Sequence, residues 1–263
     1  MPRPRRWVPS KIVDGIGTFE LSSWKWLHDF ISQEMLDYTS YIYRGQRQLN
    51  WKLEPTIDRI IIKDKRLTKS NFRKRHLDRF KLAVRGRRGA NPQQFQDENF
   101  WWALGQHHGL ITPLLDWTES PFVAAFFAFE KDDPEFKGSR VIYALSRNAI
   151  IKKSKEIQKE YTDMHRPPIT EIISPLLEDN ARLVNQRGLF TRSPDGVDLE
   201  KWVRTNFQNE KSEYILIKIA IPNTGRDQFL RALNRMNISH LSLFPDVYGS
   251  SQFCNMFLDI KNY

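Results

Sequence analysis

The stretch GLITPLLDWTESPFVAAFFAF, residues 109–129, constrains this chain more than any other. An apolar, strand-like run, LITPLLDW, passes within a few residues into an Ala/Phe-rich helix, and both need burial. Ser120 carries the hydroxyl of a helix N-cap. Pro121 suits the first helical position, where its fixed φ is helical and its missing N–H would have had no partner. Ala124, Ala125 and Ala128 let another element pack closely on this helix. Between strand and helix lies a polar cluster, Asp116-Trp117-Thr118-Glu119-Ser120, and just upstream stands GQHHG, residues 105–109. Carboxylates, hydroxyls and two imidazoles therefore gather where a strand gives way to a helix.

The rest of the 263-residue chain supplies more such pieces, without a regular strand–helix–strand rhythm. FELSSWKWLHDFISQEM (19–35) reads as a helix capped by Ser22 or Ser23, with Trp24, Leu27, Phe30 and Ile31 on one side. TSYIYRGQ (39–46), SRVIYALS (139–146) and SEYILIKIAIP (212–222) read as strands. QDENFWWALGQHHG (96–109) reads as a helix closed by Gly109, and TGRDQFLRALNRMN (224–237) as another helix. NARLVNQRGLFT (180–191) reads as a strand or hairpin, and the polar, Lys-rich 152–170 as an excursion or loop. The expectation is an N-terminal helical extension, 1–38, followed by one mixed α+β domain, 39–263.

Charge is concentrated rather than spread. Residues 61–90 hold twelve Lys/Arg against two Asp, so this segment carries the whole formal charge of +10 and the rest nets zero. Phe72, His76, Phe80 and Ala83 recur at roughly helical spacing, which leaves Arg73, Lys74, Arg79 and Lys81 largely on other faces. Arg75, and Arg85, Arg87 and Arg88 of RGRRG, extend the basic set. Such a helix can contact a phosphate backbone or an acidic partner. Nucleic acid (RNA favoured), an acidic partner protein and, least of all given the modest apolar face, an anionic membrane surface are the partners it admits. The single cysteine, Cys254 in FCNMF, excludes an intrachain disulfide and is expected to be a buried thiol. No run approaches the length of a membrane helix and no apolar segment follows the basic N-terminus, so a cytoplasmic protein without a membrane partner is expected.

Strong chemical motifs are absent: there is no GxGxxG, GxxxxGK[ST], HExxH, paired CxxC or GxSxG. Adjacent His107 and His108 cannot both point one way from a helix, so no metal site is expected. Arg44 closes an aromatic strand, and Gly45 after it lets a ligand or another backbone come close. Its planar guanidinium suits phosphate or ribose hydroxyls, or else a carboxylate such as Glu54 or Asp58.

Five segments then occur in one order: YRG (43–45), NWKLEPTIDR (50–59), GQHHGLITPLLDWTESPFVAAFFA (105–128), NARLVNQRGLFT (180–191) and SLFPDVYG (242–249). The series resembles the FRG domain family, named for its aromatic-Arg-Gly motif, over roughly 40–250. One departure is Pro113, where the family usually has Arg. The layout is also similar to the ADP-ribosyltransferase superfamily. There, a first strand carries Arg or His, a second motif has Ser/Thr/Tyr before a helix, and a third has Glu or sometimes Gln. That resemblance implies an α+β fold, a single mixed-sheet domain of ADP-ribosyltransferase-like layout with basic helix 61–90 inserted, acting on NAD without a metal. It implies a catalytic set of Arg44, His107, Asp116, Glu119 and Gln186. The NAD-binding set would be Tyr43, Arg44, Gly45, Thr112, Thr118 and Ser120.

In those roles Arg44 would hold phosphate or ribose, and His107 a hydroxyl or phosphate. The N-terminus of the 121–129 helix would offer N–H groups to an anion. Gln186 would position a ribose hydroxyl, and Asp116 or Glu119 would deprotonate an acceptor that attacks the anomeric carbon as an oxocarbenium ion develops. Joined to the basic segment, the resemblance implies transfer of ADP-ribose from NAD to nucleic acid. The protein would then be a bacterial toxin or anti-phage effector, neutralised by an antitoxin or chaperone. Two other expectations stand beside it. One is a nucleic-acid or nucleotide-binding module without turnover; the other is a metal-independent nuclease with His107 and Asp116 as acid and base.

Overall fold

Alternating side chains along β-branched and aromatic strands build one eight-stranded sheet in the computed structural model. The structure describes residues 6–62, 68–89, 95–133, 135–163, 165–175 and 181–263. Positions 63–67 and 90 of the basic segment lie outside these. The strands are β1 (Trp7–Pro9), β2 (Ile16–Leu21), β3 (Tyr41–Gln46), β4 (Leu115–Thr118), β5 (Ser139–Ser146), β6 (Glu171–Ile173), β7 (Gly188–Arg192) and β8 (Leu216–Pro222). Their order is β1-β2-β8-β5-β3-β4-β7-β6, with β2 parallel to β8 and the other neighbours antiparallel. A mixed α+β sheet is thus observed.

The helices among the described residues are α1 (Leu27–Phe30), α2 (Lys69–Ala83), α3 (Glu98–His107), α4 (Pro121–Phe129), α5 (Arg147–Glu160), α6 (Ala181–Asn185), α7 (Leu199–Asn206), α8 (Arg226–Arg235), α9 (His240–Leu243) and α10 (Val247–Asp259). They cover both faces of the sheet. On one face Tyr41, Tyr43, Ile142, Ala144, Ile217 and Ile219 pack with Phe126 and Phe129 of α4, Leu230 of α8 and Met256 of α10. On the other, Ile42, Tyr143, Leu145 and Leu216 pack with Trp202 and Val203 of α7 and Ile150 of α5. α2 and α3 make a satellite core in which Leu77 and Trp102 meet Ile57, Leu114 and Phe190.

Helix α4 is the structural centre, as its composition demands. Ser120 caps it by accepting the Val123 N–H at 3.3 Å, with Pro121 at the first helical position. Ala124, Ala125, Phe126, Ala128 and Phe129 are fully buried. Its closest neighbour is Gly45, where an added Cβ would lie 1.9 Å from the Ala124 carbonyl oxygen and 2.6 Å from the Ala128 nitrogen. The backbone that approaches Gly45 is therefore that of α4. At the other end of α4, two buried arginines take carbonyls that a helix leaves unpaired. Arg140 donates to Ala128 O at 2.5 Å and Lys131 O at 3.0 Å, and Arg226 to Phe129 O at 2.9 Å and Glu130 O at 2.6 Å. Burial and the nearby Arg226 bring the pKa of Arg140 down to about 10.

Several expectations change. The N-terminal segment 1–38 is not simply a helical extension, because β1 and β2 join the sheet and β2 runs beside β8. Among its described residues only 24–35 are helical, with Ser23 accepting from the Lys25 N–H. The Lys-rich stretch 152–170 is a loop only in its second half. Residues 152–160 belong to α5, which is started by the Ser146 cap and anchored by Ile150 and by Ser154, donating to Thr170 O at 2.7 Å. The described residues of 161–170 form neither helix nor strand. Cys254 is exposed on α10 rather than buried. No helix among the described residues is long and apolar enough to cross a membrane.

Candidate functional site

β3 pairs with β5 along its whole length, but with β4 only through Tyr43 and Thr118. Beyond that pair the two strands are unladdered, and the side chain of Arg44 fills the role of the missing backbone donor. Its Nη1 donates to the Asp116 carbonyl at 2.7 Å and lies 3.7 Å from Asp116 Oδ2. The Arg44 side chain is 21% exposed, its Nε is buried without a protein partner, and burial lowers its pKa against the opposing pull of Asp116. A charged, half-satisfied guanidinium held in one orientation is a ready site for an anion or a hydroxyl.

The other side of Asp116 is held by α3. That helix closes with Gly109 at φ +82°, Gly109 N–H bonding Gln106 O at 3.0 Å and Leu110 N–H bonding Gly105 O at 2.8 Å. This glycine-terminated turn reverses the chain so that Thr112 comes back onto Gln106. The Thr112 hydroxyl donates to Gln106 Oε1, and Gln106 Nε2 donates to Asp116 Oδ1 at 2.9 Å. A relay Thr112–Gln106–Asp116–Arg44 results, and Gln106 rather than either histidine touches the carboxylate.

Three adjoining lobes surround this relay. The inner lobe, about 140 Å³, is bordered by Gln106, His107, Asp116, Arg182 and Gln186. The central lobe, about 350 Å³, shares Asp116, Gln186 and Phe244 with it and adds Arg44, Phe127 and Glu130. The outer lobe, about 520 Å³, continues past Arg44 and Glu130 to Arg47, Lys52, Arg59 and Lys131. The central and outer volumes each suit a small-molecule ligand. The walls combine aromatic rings with an excess of cations. Partial burial, with His108 and Arg182 nearby, lowers the His107 pKa below its ordinary value, which favours the neutral ring.

The expected site residues divide into two groups. Arg44, His107, Asp116 and Gln186 come together around the lobes. Tyr43 and Thr118 border the central lobe but are buried, and burial pushes the Tyr43 hydroxyl up to about 12. The Thr118 hydroxyl donates to Gln186 O at 2.6 Å, while the Gln186 amide donates to Leu243 O at 3.0 Å. Thr112 acts through Gln106, and Ser120 is spent on capping α4. Glu119 stands apart, about half exposed and 4.0 Å from Arg147. Of α4 it is Ala124, Phe127 and Glu130, from its middle and far end, that border the central lobe, and not Pro121–Val123 at its N-terminus. Sequence reasoning missed Gln106, Arg182, Phe244 and Glu130; the first three lie inside quoted segments, while Glu130 follows an apolar helix and reads as a simple boundary.

The basic segment divides too. Arg73 is buried and paired with both Asp58 and Asp195, so it belongs to the interior and not to a nucleic-acid surface. Lys74, Arg75, Arg79, Arg85 and Arg87 are exposed. Lys81 lies 5.9 Å from the Trp101 ring, and Arg88 lies 4.4 Å from Phe95 and 4.8 Å from Trp101. Among the described residues no group of three or more His, Cys, Asp or Glu is placed to hold a metal ion.

These features fall mostly within one stretch of chain. Residues 39–137 match the FRG domain family. The FRG match runs from β3 past the end of α4, and so takes in Arg44, Gln106, Asp116 and Glu130; Arg182, Gln186 and Phe244 lie beyond it. No curated protein and no solved structure matches the chain significantly.

Proposed function

We propose that the three-lobed cleft binds a nucleotide and that the protein transfers ADP-ribose from NAD to a nucleic acid docked on the exposed side of α2. The observation that carries this reading is Arg44, fixed by Asp116 at the junction of the central and outer lobes with part of its side chain still exposed to them. The residues suit the parts of NAD. Arg44, Arg47, Lys52 and Arg59 offer donors to a pyrophosphate, and Phe127 and Phe244 offer apolar walls to a base. NAD brings a glycosidic bond whose leaving group is neutral nicotinamide. The chain's own contribution is binding and orientation, with neutral His107 on the inner lobe as the group to take the proton that the acceptor hydroxyl gives up as its oxygen bonds the anomeric carbon and nicotinamide leaves. Exposed Lys74, Arg75 and Arg79 would neutralise phosphates of the acceptor, RNA before DNA. A cell would need a neutralising partner for such an activity, as for a toxin or anti-phage effector.

One observation favours a second reading, a nucleotide-binding module without turnover. Of the expected bases, Glu119 is outside the lobes and Asp116 is already engaged by Arg44 and Gln106. Incubation with labelled NAD and, separately, RNA, DNA and protein extract separates the two, with Arg44→Ala alongside. Label on a polymer with wild type alone supports the transferase. Binding of NAD and RNA with no label and no released nicotinamide supports the module. RNA cleavage without NAD would displace both in favour of a nuclease.

A further inference from the structure

The carboxylates bordering the lobes, among the described residues, are Asp116, Glu54 and Glu130. Asp116 is engaged, and Glu54 borders the outer lobe alone. Glu130 borders both lobes that flank Arg44, and its side chain is 19% exposed. Its place is electrostatically unfavourable, because it follows the last turn of α4, where the helix end is negative. The surroundings counter this. Arg140 and Arg226 cover the nearby carbonyls, and His240 Nε2 stands 3.3 Å from Glu130 Oε2. His240 is itself buried, edge-on to Phe126 and stacked with Phe244, and its Nδ1 has no partner. An apolar pair of similar shape would join α4 to α9 at least as well, since burying polar groups costs desolvation. The arrangement is better explained by the cleft it faces.

We propose that Glu130, positioned by His240, accepts hydrogen bonds from a sugar, so that the ligand beside Arg44 is a ribonucleotide recognised through its vicinal diol. The inference rests on the nucleotide reading of the cleft. An ionised carboxylate is acceptor-only, and its two oxygens can take two neighbouring hydroxyls. It would repel a phosphate, which assigns phosphate to the cations of the outer lobe and the sugar to the boundary with the central lobe. Gln186, expected to position a ribose hydroxyl, also borders the central lobe, with its amide N–H held on Leu243 O at 3.0 Å.

The test is calorimetric titration of the full chain with NAD, AMP and 2′,3′-dideoxy-AMP, using wild type, Glu130→Gln, His240→Ala and His240→Gln, each checked by thermal melting. Wild type is expected to bind AMP about tenfold more tightly than the dideoxy analogue, the difference a charge-assisted hydrogen bond makes. Glu130→Gln should fold and lose most of that preference. His240→Ala should lose part of it and His240→Gln recover it, a readout that a purely structural histidine would not move. Should His240→Ala fail to fold, Glu130→Gln decides alone. Nucleotide binding with no diol preference in wild type, or a preference retained in Glu130→Gln, overturns the inference and leaves the nucleotide reading standing. Wild type that binds none of the three overturns both.

Discussion

Strand β3 is sealed on one side and open on the other, and the change takes a single residue. At Gly45 the backbone of α4 occupies the space where a side chain would be. At Arg44 the neighbouring strand β4 has left the ladder, and a guanidinium bridges to it. The seam is held by close packing, which is dense and leaves no room for an extra atom. The gap is held by directional bonds, Arg44 to Asp116 and Gln106 to Asp116, which leave donors and space unused. Helix α2 repeats the contrast: Arg73 turns inward to Asp58 and Asp195, while Lys74 and Arg75 face water. Neighbours in sequence can thus be locked into the interior or left facing open space, and a substitution should reveal which.

The largest loss of stability is expected at Arg73. Replacing it by Ala strands the Asp58 carboxylate, only 2% exposed, and should cost about 3–5 kcal/mol in urea unfolding. Lys74→Ala should stay within about 0.5 kcal/mol; equal costs would erase the contrast on α2. Gly45→Ala comes next, at about 3 kcal/mol, because the added carbon meets backbone that cannot step aside. A melting temperature unchanged by Gly45→Ala would mean the seam is looser than its geometry. Arg44→Ala should cost only about 1 kcal/mol of stability, one surface-facing hydrogen bond, yet remove nucleotide binding. Similar damage to fold and binding there would break the distinction between seam and gap.

Smaller effects sharpen the picture. The triple change Lys74→Ala, Arg75→Ala, Arg79→Ala should leave stability unaltered and reduce the slope of log affinity against log salt for single-stranded RNA by about 2. An unchanged slope would move the acceptor surface elsewhere. His107 gives the smallest effect. Its folded pKa lies below the ordinary 6.5, so the unfolded chain takes up the proton more readily. Stability is then full above pH 6.5 and declines as pH falls below it, and His107→Gln should flatten that decline in chemical denaturation.

Much of the framework is readable from local signals. Ser120-Pro121 announces α4, and β5 at Ser139–Ser146 coincides with the alternating run SRVIYALS. Gly109 ends α3 as its conformational freedom suggests. The readings that failed did so where weak local signals met strong tertiary ones. In α5, lysines hide a narrow buried edge consisting of Ile150 and Ser154. In 16–21, the tryptophans of the following helix overshadow a strand that exists because β8, some 200 residues away, offers it an edge.

The boundary between the two kinds of knowledge follows from range. Caps, alternation and charge runs depend on residues a few positions apart, so α4, the strands β3, β5 and β8, the basic segment and the FRG motif are all set by the chain's own order. Which polar groups meet is a matter of long-range geometry. Only folding brings Asp116 to Arg44 across 72 positions, spends Ser120 on a cap, buries Arg73, and stands Glu130 against His240 at the edge of the cleft.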